Sequence, residues 1–406
     1  MGIATALQVV RMFARLTGRV PAGHLWYLFR RMANERPHRF NGQTRINTFF
    51  PPYPSAAFDR FCAAVIARRR VPFSVYLAVT GACPFHCPHC SYAGRANGRM
   101  SREQLLDAVR QMKLLGTCTL GFTGGEPMLC DQLEDLVAAA APEMATIVFT
   151  TGHGLDDSRA GKLAAAGVSC VTIGIESANA GAHDRVRGKA GSFAEAEAAV
   201  RVCQDAGLYT AISTVGTRER IAGGELGAMY DLGRRWGVGE FRLLAPVATG
   251  RLRGCRAAML GPNERRALFD FHVEHNRRGD GPAVNSFAYL ESDELFGCGA
   301  GYHHLYIDAA GQVCPCDLTP LSFGDVTAEP LADIWRRMEQ FFPRPRRGCL
   351  MAVLAGRLDP AADLPLPREQ SESLCASCGP TALPEGYRRL LTPASRGGGG
   401  GVGGTR

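Results

Sequence analysis

VYLAVTGACPFHCPHC, residues 75–90, decides the reading of this 406-residue chain. Its first part, Val75 to Thr80, is a short continuous apolar run of the kind that forms a fully buried strand. Its second part places Cys83, Cys87 and Cys90 on the loop leaving that strand's C-terminal end, where barrel-type α/β folds build their sites. Three thiolates so spaced can hold three irons of a four-iron cluster and leave the fourth open. The rival ligand chemistry is zinc, because Cys and His at short spacing, here with His86 and His89, also suit that ion.

Outward from this stretch, Cys118 to Phe122 predicts a second strand, and Gly124-Gly125-Glu126-Pro127 follows it. Further strands are expected near residues 146–150, 169–175, 209–215 and 240–244, with helical patterns between them. Such alternation means stacked βαβ units and a parallel sheet. Ser101 with Gln104, and Ser192 with Glu195, fit the capping box that opens a helix. Between Gly250 and Gly297 the pattern loosens, leaving one clear helix near Asn263 to Asn276. Six more cysteines lie between Cys298 and Cys378, and the stretch from 391 to 406 is glycine-rich and expected to be disordered.

The net charge of +8 is local in origin. Residues 1–72 hold twelve Arg and two acids, which is +10, so the other 334 residues sum to −2. A near-neutral body lacks the basic lining that a nucleic-acid channel needs, so nucleic acid is an unfavoured partner. Near the N-terminus Ile3, Leu7, Val10, Phe13 and Leu16 share a helical face beside Arg11, Arg15 and Arg19. Such a helix docks on its own barrel or lies in a membrane surface, and docking is the commoner fate. Fifteen cysteines, an odd number, read as metal ligands and reduced thiols of a cytoplasmic protein, peripheral at most to the inner face of a membrane. No apolar run reaches the roughly 18 residues of a spanning helix.

C-x3-C-x2-C followed by a strand ending in Gly-Gly-Glu resembles the radical S-adenosylmethionine (radical SAM) superfamily. The resemblance implies an α/β fold, a partial (β/α)6 barrel, over residues 73–250, after a basic helical extension at 1–72. It implies a [4Fe-4S] cluster on Cys83, Cys87 and Cys90, SAM on the open iron, and reductive cleavage to a 5′-deoxyadenosyl radical. By the same resemblance His89 lies near the adenine, Gly124, Gly125 and Glu126 at the methionine end, Glu176 or Ser177 at the ribose, and Arg187 at the carboxylate. Pro246 and Gly250-Arg251 resemble the stretch that closes the adenine side.

Cys298, Gly311 and Cys316 form C-x12-G-x4-C, and Cys375-Ala-Ser-Cys378 follows. This resembles the SPASM and twitch extensions, here residues 298–390 after a bridge at 251–297, and implies an auxiliary [4Fe-4S] cluster on Cys298, Cys316, Cys375 and Cys378. A four-cysteine zinc site fits the same spacing. Cys314 and Cys349 remain unassigned, and Cys62, Cys118, Cys130, Cys170, Cys203 and Cys255 read as core residues. Asn285, Tyr289, Glu291, His303 and His304 are polar or aromatic groups with the chemistry to face substrate.

These readings lead to an oxidoreductase or maturase that takes hydrogen from a peptide or small biosynthetic intermediate, for oxidation or cross-linking. Flavodoxin or ferredoxin is the expected electron donor. The alternatives are a membrane-associated enzyme acting on a lipid or isoprenoid, and a non-catalytic iron-sulfur or zinc protein that senses redox state or binds nucleic acid.

Overall fold

A computed structural model describes residues 2–95, 98–379 and 381–391. The glycine-rich stretch from residue 392 onward lies outside them.

A small antiparallel hairpin, β1 (His38–Phe40) and β2 (Gln43–Arg45), precedes the main sheet. The main sheet contains β3 (Ser74–Thr80), β4 (Thr119–Gly124), β5 (Ala145–Thr150), β6 (Cys170–Gly174), β7 (Thr210–Val215), β8 (Glu240–Leu244), β9 (Ala283–Ser286), β10 (His304–Ile307) and β11 (Val313–Cys314). Its order is β11-β10-β3-β4-β5-β6-β7-β8-β9, parallel throughout except for the antiparallel β10–β11 hairpin. The six expected strands are all present. Two further ones extend them: β9 pairs with β8, and β10, from the cysteine-rich module, pairs with β3. That module therefore continues the barrel sheet and does not begin a separate layer at residue 298.

Alternation along each strand divides the interior. Val75, Leu77, Leu120, Phe122, Val148, Val171, Ile173, Ile212, Phe241 and Leu243 pack in one continuous core with the surrounding helices. On the opposite face Tyr76 and Phe149 lie with ring centroids 5.0 Å apart, and Arg242 stands 4.9 Å over Phe149. Gly121 lies between those two rings, where a Cβ would collide with both.

Helix starts follow the sequence with one exception. Ser101 and Gln104 form the capping box of the helix Arg102–Leu115. Ser192 does not cap its helix; Gly191 does, and the Asp184 carboxylate accepts from the Gly191 and Phe193 amides and the Ser192 hydroxyl. Glu195 is occupied instead with His153 and Lys189. The helix expected near Asn263 to Asn276 spans Pro262–Arg278.

The first 72 residues close the N-terminal end of the barrel. Thr48 donates its amide to Glu240 at 2.8 Å and shares its hydroxyl with Glu240, Arg242 and Asn285, all buried. Asn285 also donates to Glu240 at 2.8 Å, and Arg242 to the Tyr76 hydroxyl at 3.2 Å. Outside this floor, α1 (Ile3–Ala14) and α2 (Ala22–Arg31) help enclose a mainly apolar cavity of about 150 Å³, lined by Met12, Leu28, Phe61 and Leu390 among others. The expected apolar face of α1 is not the one that packs: Ile3, Leu7 and Val10 are exposed and only Leu16, beyond the helix end, is buried, while the helix turns Thr5, Val9 and Met12 inward. None of the described helices is long and apolar enough to cross a membrane.

Candidate active site

The loop after β3 is held in place by backbone contacts that only glycine permits. Gly125 and Glu126 donate their amides to the Thr80 and Ala82 carbonyls, both at 2.8 Å. A Cβ on Gly125 would collide with the Ala82 carbonyl, and Gly124, at φ +117°, lies equally close to that of Thr80. From the other side the Arg251 amide donates to the Cys90 carbonyl at 3.0 Å, and a Cβ on Gly250 would strike that same carbonyl. The Gly-Gly and Gly-Arg turns thus clamp one loop between them.

On that loop Cys83 is exposed, Cys90 half-buried and Cys87 buried. Burial raises the Cys87 thiol against the opposing pull of Arg187. Metal binding at these thiols therefore releases protons. Three thiols on one short loop, with the other cysteines held elsewhere in the fold, suit a cluster that leaves one iron open.

A buried ion network lies behind the thiols. Arg187, at the end of the helix Ala180–Arg187, approaches Cys87 Sγ at 3.5 Å and the Glu176 carboxylate at 3.0 Å. Glu176 also pairs with Arg220 at 2.9 Å and with His89 Nε2 at 3.3 Å. Burial opposes its ionisation, but Arg187, His89 and Arg220 outweigh that and hold its carboxyl well below the usual range. A Cβ at Gly174 would collide with the Arg187 guanidinium, so the glycine at the end of β6 leaves the arginine its place. His183 accepts from the Glu176 amide at 3.1 Å and stays neutral, lowered to about 4 by burial first and by Arg187 second.

The expected site residues divide by what they touch. Cys87, His89, Glu176 and Arg187 form one connected group. Ser177 gives its hydroxyl to Glu225 at 2.6 Å, so in this arrangement it braces a helix start. Glu126 is fully buried and accepts from the Met128 amide, the Thr150 hydroxyl, and the amide and hydroxyl of Thr151. With four donors it ties the ends of β4 and β5 together and has no oxygen turned to a ligand.

The second thiol group differs from its sequence expectation. Cys298 and Cys349 lie within hydrogen-bonding reach, and that contact, with burial, pushes the Cys298 thiol well up. Burial first, then Asp317 and Cys298, raise the Cys316 thiol. Glu291 faces the same group, its carboxyl raised well above the usual range by burial and by Cys298. Ligand atoms of His304, Cys316 and Asp317 fall within 4.8 Å of one another. Cys375 and Cys378 form a separate pair, in which Cys375 is raised to about 12 by burial and by Cys378. Arg346 links the two groups: its backbone pairs with Cys298, and its guanidinium donates to the carbonyls of Cys378 and Gly379. Cys349 and Glu291 are the members that sequence reasoning did not place here.

The remaining residues singled out in the sequence have other surroundings. Cys314 sits 3.5 Å from Arg95 in a different buried pocket. Cys255 is exposed, whereas Cys62, Cys118, Cys130, Cys170 and Cys203 are buried as expected. Among the candidates for facing substrate, Asn285 belongs to the barrel floor, Tyr289 is fully buried, and His303 is stacked on Phe73 and Tyr387 at 4.8 and 5.6 Å.

Comparison with known proteins identifies both modules. Residues 77–220 match the Radical SAM superfamily and residues 298–379 an iron-sulfur cluster-binding domain, SPASM. A PqqA peptide cyclase of Streptomyces rochei is 31% identical over 283 residues, 66% of this chain and 77% of the relative. An AdoMet-dependent heme synthase of Nitratidesulfovibrio vulgaris is 24% identical over 289 residues, 65% of this chain and 78% of the relative. Streptococcus suis SuiB bound to precursor peptide SuiA superposes with a TM-score of 0.56 at 14% identity, over 68% of this chain and 69% of that one. anSMEcpe with bound AdoMet gives 0.56 at 17% identity, over 78% and 98%.

Proposed function

This chain belongs to the radical SAM superfamily and carries a SPASM domain, and from that premise we propose that it modifies a peptide by hydrogen abstraction followed by oxidation or cross-linking. As a radical SAM enzyme it uses a [4Fe-4S] cluster, SAM and auxiliary iron-sulfur ligation. When bound, that cluster supplies the electron that splits SAM into methionine and a 5′-deoxyadenosyl radical.

The protein's own contribution is positioning. Cys83, Cys87 and Cys90 hold the cluster, and Gly124, Gly125 and Gly250 fix their loop. Arg187 stands between Cys87 and Glu176, placed to meet the carboxylate of SAM, and Glu176 sets its direction with His89 and Arg220 beside it. Carbonyls of the Gly124-Gly125 turn serve the amino group of SAM. Glu126 acts by bracing the turn. Cys298, Cys316 and Cys349 hold auxiliary iron, with Glu291 at its edge. The Thr48 floor excludes water from the barrel and leaves the C-terminal mouth for substrate.

One observation carries the reading: a three-thiol loop and a second buried thiol group are joined by a single sheet, through the pairing of β3 with β10. The peptide class is supported by relatives and fold neighbours named for peptides. The test is anaerobic turnover with dithionite and SAM, with and without a short peptide encoded beside the gene. The reading expects 5′-deoxyadenosine from the native protein, none from Cys87→Ala, and faster release with the peptide present. Release that survives Cys87→Ala overturns the enzyme assignment. Release that the peptide never changes, and a peptide whose mass never changes, overturn the substrate class.

A further inference from the structure

Residues 1–34 contain five arginines and no acid. In α1, Ile3, Leu7 and Val10 are 90, 51 and 59% exposed, and in α2, Trp26 and Phe29 are 62 and 50% exposed. These side chains form one stripe. Val10 and Phe13 are one helical turn apart, the rings of Phe13 and Phe29 meet edge-to-face at 5.8 Å, and Phe29 stacks with Trp26 at 6.0 Å. The apolar stripe thus crosses from one helix to the other without a break. Arginines border it: Arg15 pairs with Asp59 and Arg31 with Glu294, but Arg11, Arg19 and Arg30 have no carboxylate partner among the described residues.

We propose that α1 and α2 lay this end of the protein on an anionic lipid bilayer, with Ile3, Leu7, Val10, Trp26 and Phe29 entering the headgroup boundary and Arg11, Arg19 and Arg30 meeting lipid phosphates. A contiguous exposed apolar patch calls for a partner. A helix pair with apolar and aromatic side chains on one face, whose own charged residues are all arginines, has the composition of an interfacial anchor. Charge excludes the nearest rivals. A second copy of the chain would bring the same uncompensated arginines against themselves. The segment beyond residue 391 has Val402 as its one aliphatic residue larger than alanine, too little to cover the stripe. Phe13 also lines the cavity behind the helices, so the stripe is continuous with apolar interior.

The experiment is flotation of the full-length, iron-loaded protein with vesicles of phosphatidylcholine alone or mixed with phosphatidylglycerol. The native protein is expected to float with the mixed vesicles, weakly with the neutral ones, and less as salt is raised. Leu7→Glu with Phe29→Glu should lower the bound fraction about tenfold. Arg11→Gln, Arg19→Gln and Arg30→Gln together should remove on the order of 100-fold in affinity for the anionic vesicles alone. Both sets change exposed side chains, so melting temperature and 5′-deoxyadenosine formation should stay at native values; a failure here leaves the radical chemistry standing. Native protein that stays with the soluble fraction, or floats equally well after Leu7→Glu with Phe29→Glu, overturns the proposal. So does a dimer in sedimentation that those substitutions dissolve while vesicles never bind.

Discussion

At the scale of single residues, Glu176 holds more of the site together than its position in the sequence suggests. It balances Arg187 and Arg220 while buried. Replacing it with glutamine leaves two cations without their counter-charge, and Glu176→Gln should cost about 3 kcal/mol in urea unfolding at neutral pH. Because the folded-state pKa is depressed, the native contribution is complete above the ordinary carboxylate value of about 4.3 and is lost as pH falls through the folded value. The gap between the two proteins should therefore shrink at pH well below about 4. Gly174→Ala tests the same group from the other side: its Cβ displaces the Arg187 guanidinium, and 5′-deoxyadenosine formation should fall about 100-fold with iron content unchanged. The three loop cysteines and Arg187 were legible in the sequence from spacing and resemblance. Cys349 was not, since a lone cysteine carries no local pattern and only tertiary packing brings it to Cys298.

At the scale of elements, the turns around the thiol loop behave as a clamp. Gly125→Ala forces its Cβ against Ala82, so iron at Cys83, Cys87 and Cys90 should be lost while auxiliary iron stays, a distinction Mössbauer or EPR spectra can read. In the second module Cys349→Ala should lower auxiliary iron as much as Cys298→Ala does, whereas Cys314→Ala should leave it in place, because that thiol contacts Arg95 instead. The six core strands were legible because each is a short apolar run between helical patterns. Strands β9 and β10 were harder for a physical reason. In β9, Asn285 and Ser286 are polar yet fully buried, and the Asn285 amide donates to Glu240 and Thr48, 45 and 237 residues away, which no local window contains. Strand β10 pairs with its sequence neighbour β11 on one side, but on the other with β3, more than 220 residues earlier, and that pairing is decided by the barrel.

For the whole molecule, buried neutral histidines set the response to acid. His24 and His183 are lowered to about 4 and His303 to about 3, each mainly by burial. A depressed histidine stabilises the fold fully above the unfolded value of about 6.5 and loses that contribution as pH falls toward the folded value. Thermal melts of metal-free protein should therefore decline steadily from about pH 6.5 to 4; a flat profile over that window contradicts the burial of these rings. The barrel floor has a consequence for synthesis. Thr48 leaves the ribosome early, but its partners Glu240, Arg242 and Asn285 follow 192 to 237 residues later. At cellular elongation speeds that is a wait on the order of 10–50 s. Through that interval Phe49 lacks the Phe296 ring on which it ends up stacked, while Phe50 already has Phe61 beside it. The barrel floor therefore closes only once the final third of the chain has begun to emerge, and until then its buried polar groups face water.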